Sequence, residues 1–266
     1  MFPYWQKQTK PLFEQILWNL PEQATGTLNL IGGNSQNFAT IIRSAEFLNQ
    51  LNLKSIQVIL PDSLSTKLPP ITGLKFTEST NSGSFAPSTK LNYFTSSADF
   101  NLYLGDFSKN SATTVAIADA IKTQVKPCLI TRDGIDLLLT EFNDLIQQPD
   151  LFLVASLVQL QKVFRTIYYP KMLLLSMPLL PVIETLHKFT LSYPITILTL
   201  HQDQIIVASQ GQIITTALNL TSFTPLSLWS GTLASKVAVL NLWSPGQPLA
   251  ATATALFWDH RQKSPF

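Results

Sequence analysis

Residues 27–60 read TLNLIGGNSQNFATIIRSAEFLNQLNLKSIQVIL, and the order of residue types in this stretch decides the fold. Thr27 to Ile31 is a short strand candidate stopped by Gly32-Gly33, which predicts a strand ending in a tight turn. Phe38, Ile41, Ile42, Ala45, Leu48 and Leu51 then recur at intervals of three and four, while Arg43, Glu46, Asn49 and Gln50 take the other face. That spacing predicts an amphipathic helix. Ile56 to Leu60 is an unbroken apolar run closed by Pro61, as expected of a strand buried on both faces. Strand, glycine turn, helix and strand in this order predict a parallel sheet with helices packed against it.

The same alternation continues downstream. Phe100 to Leu104, Cys128 to Thr131 and Leu151 to Val154 read as strands, and Thr113–Thr123, Ile135–Ile146 and Leu157–Phe164 as the helices between them. Ile195–Leu200, Gln204–Ser209 and Gln212–Leu218 are joined by His201-Gln202-Asp203 and Gln210-Gly211, which predicts antiparallel additions at the sheet edge. Two closing helices are expected over Leu226–Leu242 and Gln247–Trp258. Upstream, Leu12, Phe13, Ile16, Leu17 and Leu20 predict a helix from Pro11, so residues 1–25 read as a helical lead-in. Residues 61–98 are rich in Pro, Ser and Thr and read as an irregular excursion or lid. No composition break marks a linker and no repeat is present, so one domain is expected over residues 1–266.

Composition narrows the function classes. The apolar fraction of 45% predicts a packed protein, while the charged fraction of 13% is about half the usual ~25% and suggests either a surface rich in Ser, Thr, Gln and Asn or some apolar surface covered by a partner subunit. A net charge of +2 with scattered Lys and Arg speaks against nucleic acid. The single cysteine, Cys128, rules out an intrachain disulfide framework. The longest greasy window, Met172 to Ile183, is interrupted by Pro178 and Pro181 and is shorter than the roughly 20 residues of a membrane span. Met1 to Lys10 carries Lys7 and Lys10 and no cleavage-site pattern, so a cytoplasmic location without membrane attachment is expected.

Two readings of Gly32-Gly33-Asn34-Ser35 stand side by side. Glycines between a strand and a helix let backbone approach a ligand, and free N–H groups there favour an anion. The same residues also make a plain strand-to-helix turn with Asn34 or Ser35 as cap. Gly33-Asn34-Ser35-Gln36-Asn37 further imitates a hydrolase elbow, with Ser35, Asp133 and His201 in triad order, although Asn37 is larger than that cramped turn tolerates. His187, His201 and His260 are too dispersed to predict a metal site, and no G-x-G-x-x-G or Walker loop is present.

Taken in order, these segments resemble the ADP- or ATP-dependent NAD(P)H-hydrate dehydratases, which have a ribokinase-like fold. Leu30 to Ser35 resembles that family's opening strand and Gly-Gly-Ser loop. Ile130-Thr131-Arg132-Asp133-Gly134-Ile135-Asp136-Leu137-Leu138 resembles its strand ending in Asp-Ala-Asp, with Asp133 as the second aspartate and Thr131 replacing the first. Leu228-Trp229-Ser230-Gly231-Thr232-Leu233-Ala234-Ser235 falls where the family carries Gly-Thr-Gly-Asp. The resemblance implies a three-layer α/β/α fold whose mostly parallel sheet ends in late antiparallel strands. It also implies ADP or ATP with magnesium as cofactors wherever activity is retained. Gly32, Gly33, Asn34, Ser35, Gly105, Ser230, Gly231 and Thr232 would then meet substrate or nucleotide, with Asp133 as an acid or metal anchor.

The departures cut against that chemistry. Gly231 stands where the resemblance places the base aspartate, and no Asp or Glu occurs from Gln204 to Trp258. Loss of a proton-transfer base costs roughly two to four orders of magnitude in rate. The family's Gly-Pro-Gly-Leu-Gly corresponds to Leu104-Gly105-Asp106-Phe107-Ser108, where Asp106 would repel phosphate. Its His-Pro-Gly-Glu corresponds to Ser156-Leu157-Val158-Gln159, and its Lys-Gly to Leu200-His201. Four replacements together predict a degenerate relative that binds or assembles, paired with itself or with an active paralogue. An active nucleotide-dependent lyase or small-molecule kinase with a rebuilt site is the alternative, and a Ser35 hydrolase a remote one.

Overall fold

A computed structural model describes residues 2–8, 10–68, 71–218 and 225–259. Its strands are β1 (Trp5–Lys7), β2 (Thr27–Gly32), β3 (Ser55–Pro61), β4 (Leu74–Thr77), β5 (Phe100–Gly105), β6 (Cys128–Thr131), β7 (Leu151–Ser156), β8 (Ile195–His201), β9 (Gln204–Ser209) and β10 (Gln212–Ala217). They form a ten-stranded sheet in the order β1-β10-β9-β8-β7-β6-β5-β2-β3-β4. All pairings from β4 through β8 are parallel, β9 is antiparallel to both neighbours, and β1 lies parallel to β10. The expected late antiparallel strands are therefore present, although β8 itself joins the parallel set and only β9 reverses direction.

The helices are α1 (Lys10–Trp18), α2 (Ala39–Leu48), α3 (Thr89–Ser97), α4 (Ser111–Thr123), α5 (Asp133–Leu137), α6 (Phe142–Leu145), α7 (Leu157–Thr166), α8 (Leu179–Ser192), α9 (Thr232–Trp243) and α10 (Pro248–Thr254). Strand residues alternate between two cores, because successive side chains of a strand point to opposite faces. Leu30, Leu102 and Leu129 pack with Ile41, Ala45 and Ala238 on one face. Ile31, Tyr103 and Ile130 pack with Ile117, Leu160 and Ile183 on the other. Both faces are buried, which explains why the central strands read as mainly apolar rather than alternating, apart from the hydrogen-bonded pair Asn29 and Asn101.

Burial also accounts for much of β9, β10 and α9 being free of acids. Five of six residues of β9 and four of six of β10 are buried, and α9 is buried over Leu233–Ser235 and Val237–Asn241. An unpaired carboxylate in such positions costs several kcal/mol in real proteins, as order of magnitude. Burial likewise pushes the Cys128 thiol up to about 12. Among the described residues, no helix is long and apolar enough to cross a membrane.

Three expectations need correction. The lead-in is not purely helical: Trp5–Lys7 adds β1 at the outer edge, registering Trp5 against Ile213. A strand this short carries no periodicity to read. Residues 61–98 are only partly irregular, since they hold β4 and α3, the latter capped by Ser88, whose Oγ accepts from Lys90 N at 3.2 Å. That helix was hidden because only Leu91 and Thr95 of it are buried, leaving no apolar stripe. The helix expected from Leu226 begins instead at Thr232, after a short turn at Pro225–Leu228.

Candidate functional site

The strand order turns around β2, which has β3 on one side and β5 on the other. In open α/β sheets the carboxyl ends at such a switch point form the ligand crevice. Gly32 and Gly105 are register partners there, past an irregularity at Ile31/Gly32. A Cβ on Gly32 would collide with the Gly105 carbonyl and lie 2.6 Å from Ile41 Cδ1, so only glycine permits this approach.

The backbone N–H groups of the following loop, residues 33–37, are all bonded within the chain. Gly33 N donates to Gly105 O at 2.9 Å, Asn34 N to Asn37 O at 2.8 Å, and Ser35 N to Gly83 O at 2.8 Å. Gln36 N and Asn37 N both donate to Asn34 Oδ1, at 2.8 and 3.1 Å. The other end of the buried Asn34 amide donates to Asp106 O at 2.6 Å. Ser35 is held further through its hydroxyl, which donates to Ser82 O at 3.3 Å, and its carbonyl, which accepts from Lys67 Nζ at 2.9 Å. An anion arriving at residues 33–37 would have to displace these bonds.

A second corner joins the ends of β5 and β6. Asp133 Oδ1 accepts from Asp106 N at 2.8 Å and Oδ2 from Phe107 N at 3.0 Å. The carboxylate thus occupies the amides that a phosphate-holding loop would present. Burial pushes its pKa up, opposed by the bond from Asp106 N; the charge of Asp106 adds to the rise, while Arg132 and the bond from Phe107 N oppose it. Arg132 Nη2 donates to Asp106 Oδ1 at 2.8 Å, and the two side chains are 15% and 13% exposed. Asp106 lies at φ 58 and Arg132 at φ 54, ψ −138, a conformation almost confined to glycine. Gln159 Nε2 pins this backbone by donating to Arg132 O at 2.7 Å, while its Oε1 closes a capping box with Ser156.

Gly231 completes the arrangement. It precedes α9 at φ 82, a left-handed conformation that side-chain-bearing residues rarely adopt. A Cβ there would lie 2.7 Å from Ser44 Oγ, 3.0 Å from Thr40 Cγ2 and 3.2 Å from Leu104 Cδ1. The position is filled by α2 and the end of β5; Ser230 and Thr232 beside it are exposed.

Gly32, Gly105, Asp133 and Gly231 therefore converge at one end of the sheet, whereas His201 does not join them. His201 ends β8 buried, its Nε2 2.7 Å from Met177 O, rather than forming an open hairpin tip. Ser35, Asp133 and His201 are each bonded to other partners, so they form no triad. His187 packs its ring on Tyr4 with centroids 3.7 Å apart, and His260 lies outside the described residues. Among the described residues no group of three or more His, Cys, Asp or Glu is placed to hold a metal. Arg132, Thr40 and Ser44 are site neighbours that residue patterns did not single out; Arg132 stands directly beside Asp133 in the chain, but nothing in a one-dimensional pattern marks its φ.

This sheet order and layering match the ribokinase-like α/β fold. The chain is similar to a ribokinase-like superfamily protein from Enterococcus faecalis, with 16% identity, TM-score 0.68, and 97% of this chain and 86% of that chain covered. It is also similar to ADP/ATP-dependent NAD(P)H-hydrate dehydratase from Bacillus subtilis co-crystallized with ATP and Mg2+, at 12% identity, TM-score 0.58, covering 92% and 84%. An ADP complex of Bacillus subtilis pyridoxal kinase matches at 11% identity and TM-score 0.51, covering 88% and 90%. No protein-family model and no curated protein sequence matches the chain.

Proposed function

We propose that this chain is a ribokinase-like binding or assembly protein that has lost the proton-transfer reaction of the NAD(P)H-hydrate dehydratases it resembles. The observation that carries this reading is at Gly231. The position offered to a catalytic base has no carboxylate, and a side chain there would be strained at φ 82 and crowded by Ser44, Thr40 and Leu104. Two further facts support it. The N–H groups of residues 33–37 are bonded internally, and the amides of Asp106 and Phe107 are taken by Asp133. A nucleotide phosphate would have to compete with an internal carboxylate held at high effective concentration. Low surface charge and exposed apolar side chains such as Val125, Leu226 and Trp18 support assembly with a second copy or an active paralogue.

One observation favours a second reading, an active nucleotide-dependent enzyme with a rebuilt site. Asp133 is a carboxyl with a raised pKa, at the switch point, beside an arginine in a strained backbone conformation. Thermal-shift titration with ADP and ATP, with and without magnesium, separates the two. The first reading expects no shift at millimolar nucleotide, no recovery of NADH from its hydrate, and a chain that is oligomeric by light scattering. A saturable shift with turnover that disappears in Asp133→Asn would establish the second.

A further inference from the structure

A cavity of about 550 Å³ lies beside the last turns of α7 and the segment that follows it, within the size range of small-ligand pockets. The helix starts at the Ser156 end of β7 and runs back along the sheet, so this cavity is distinct from the crevice around Gly32 and Gly231. Phe164 and Tyr169 form its apolar wall and belong to the aromatic cluster with Phe189. Its ionisable lining is Arg165 and Lys171 together with two tyrosines, and no carboxylate lines it. Neither cation is ion-paired among the described residues.

Two features show that this wall is held in shape rather than left loose. Gln161 Nε2 donates to Leu173 O at 2.5 Å, and Tyr169 N donates to Phe164 O at 2.9 Å, which together tie the segment onto α7. Tyr168 sits at φ 54 and is 89% exposed, so a bulky residue is kept in a left-handed conformation that glycine would adopt without strain. Met172, also on the rim, is 69% exposed. An aromatic and a thioether at the mouth of a cavity with only positive charge match one class of ligand.

We infer that this cavity binds a small organic anion with an aromatic or apolar body, its acid group met by Arg165 and Lys171 and its body by Tyr168, Met172 and the Phe164–Tyr169 wall. The charge pair supplies orientation and the apolar wall supplies area, the usual division in ligand pockets. This inference stands independently of whether the crevice at Gly231 is catalytic.

Calorimetric titration of the full chain with naphthyl phosphate, naphthol and inorganic phosphate tests it. Naphthyl phosphate is expected to bind more tightly than either of its halves. Arg165→Gln combined with Lys171→Gln should weaken it by roughly tenfold or more, with the thermal midpoint unchanged, since both residues are exposed. Tyr168→Gly should weaken binding while leaving the fold equally or more stable, an outcome that a purely structural Tyr168 would not produce. Equal affinity for naphthol, insensitivity to the double charge variant, or no heat at about millimolar ester would each overturn the inference.

Discussion

Two regions close the same end of the sheet by opposite means. The segment from β9 to α10 closes it with neutral, tightly packed atoms: Gly231 sits against Ser44 and Thr40, and no acid occurs from Gln204 to Trp258. The ends of β5 and β6 close it with charge: Asp106 on Arg132, and Asp133 on two backbone amides. The difference teaches caution about missing carboxylates. Part of the acid-free stretch is explained by burial alone, since most residues of β9, β10 and α9 lie inside the protein. At Gly231 the absence bears on chemistry, because there a Cβ would sit at φ 82 and crowd Ser44 Oγ, Thr40 Cγ2 and Leu104 Cδ1.

The largest effect is expected where packing closes the crevice. Gly231→Ala must hold a Cβ at φ 82 and push against Ser44 Oγ, which together should destabilise the fold by about 3 kcal/mol. Urea denaturation measures this. Ser44 Oγ is buried without a hydrogen-bond partner, so Ser44→Ala by itself should be neutral or mildly stabilising. Combined with Gly231→Ala, it should restore the packing part of the loss and leave the backbone part. If Gly231→Ala is as stable as the parent, the neutral closure described here is wrong. Gly231→Asp should be at least as unstable and still fail to regain dehydratase activity.

A smaller effect is expected in the charged closure. Asp106→Asn leaves the mostly buried Arg132 guanidinium without its carboxylate, which should cost about 2 kcal/mol. Two of its nitrogens, Nε and Nη1, already lack a partner, so the guanidinium has little else to turn to. Arg132→Gly and Arg132→Ala both delete the pair, yet only glycine fits φ 54, ψ −138 without strain. The glycine variant should therefore be the more stable by about 1–2 kcal/mol in the same urea series. Equal stability of the two variants would mean that the backbone at Arg132 is not strained.

Much of this was legible in residue order. The unit from Thr27 to Leu60 appears with its turn, helix and parallel pairing as expected, because strand and helix periods are strong where both faces or one stripe are buried. That Gly32, Gly105 and Gly231 serve one site was implied by the family resemblance, and the structure brings the three to one end of the sheet. What stayed hidden depends on three-dimensional contact. β1 is too short for a period, α3 presents almost no apolar stripe, and the pairing of Asp133 with the amides of residues 106–107 joins loops far apart in the chain. Nor does sequence reveal that Ser35 is bound on three sides by Lys67, Ser82 and Gly83.

The smallest expected effect concerns protons, and it probes the charged closure directly. Burial raises the Asp133 pKa above its usual value. The folded state then holds this proton to higher pH than the unfolded chain does, so between the two pKa values the folded state binds more protons. Stability must fall as pH rises through that window, starting from about 3.9 where an unfolded aspartate titrates. Asp133→Asn removes the titration but keeps one acceptor oxygen for one of the two amides, while its NH2 faces the other. The variant should be less stable than the parent at low pH, with the gap narrowing as pH rises. Denaturation midpoints of both proteins from about pH 3 to about pH 7 read this out as a slope difference. A gap that widens with pH would mean that the amides of Asp106 and Phe107, with Arg132, outweigh burial and hold the carboxylate ionised. Asp133 would then be a firmly bound internal anion at neutral pH, and the crevice would be still less able to take a phosphate.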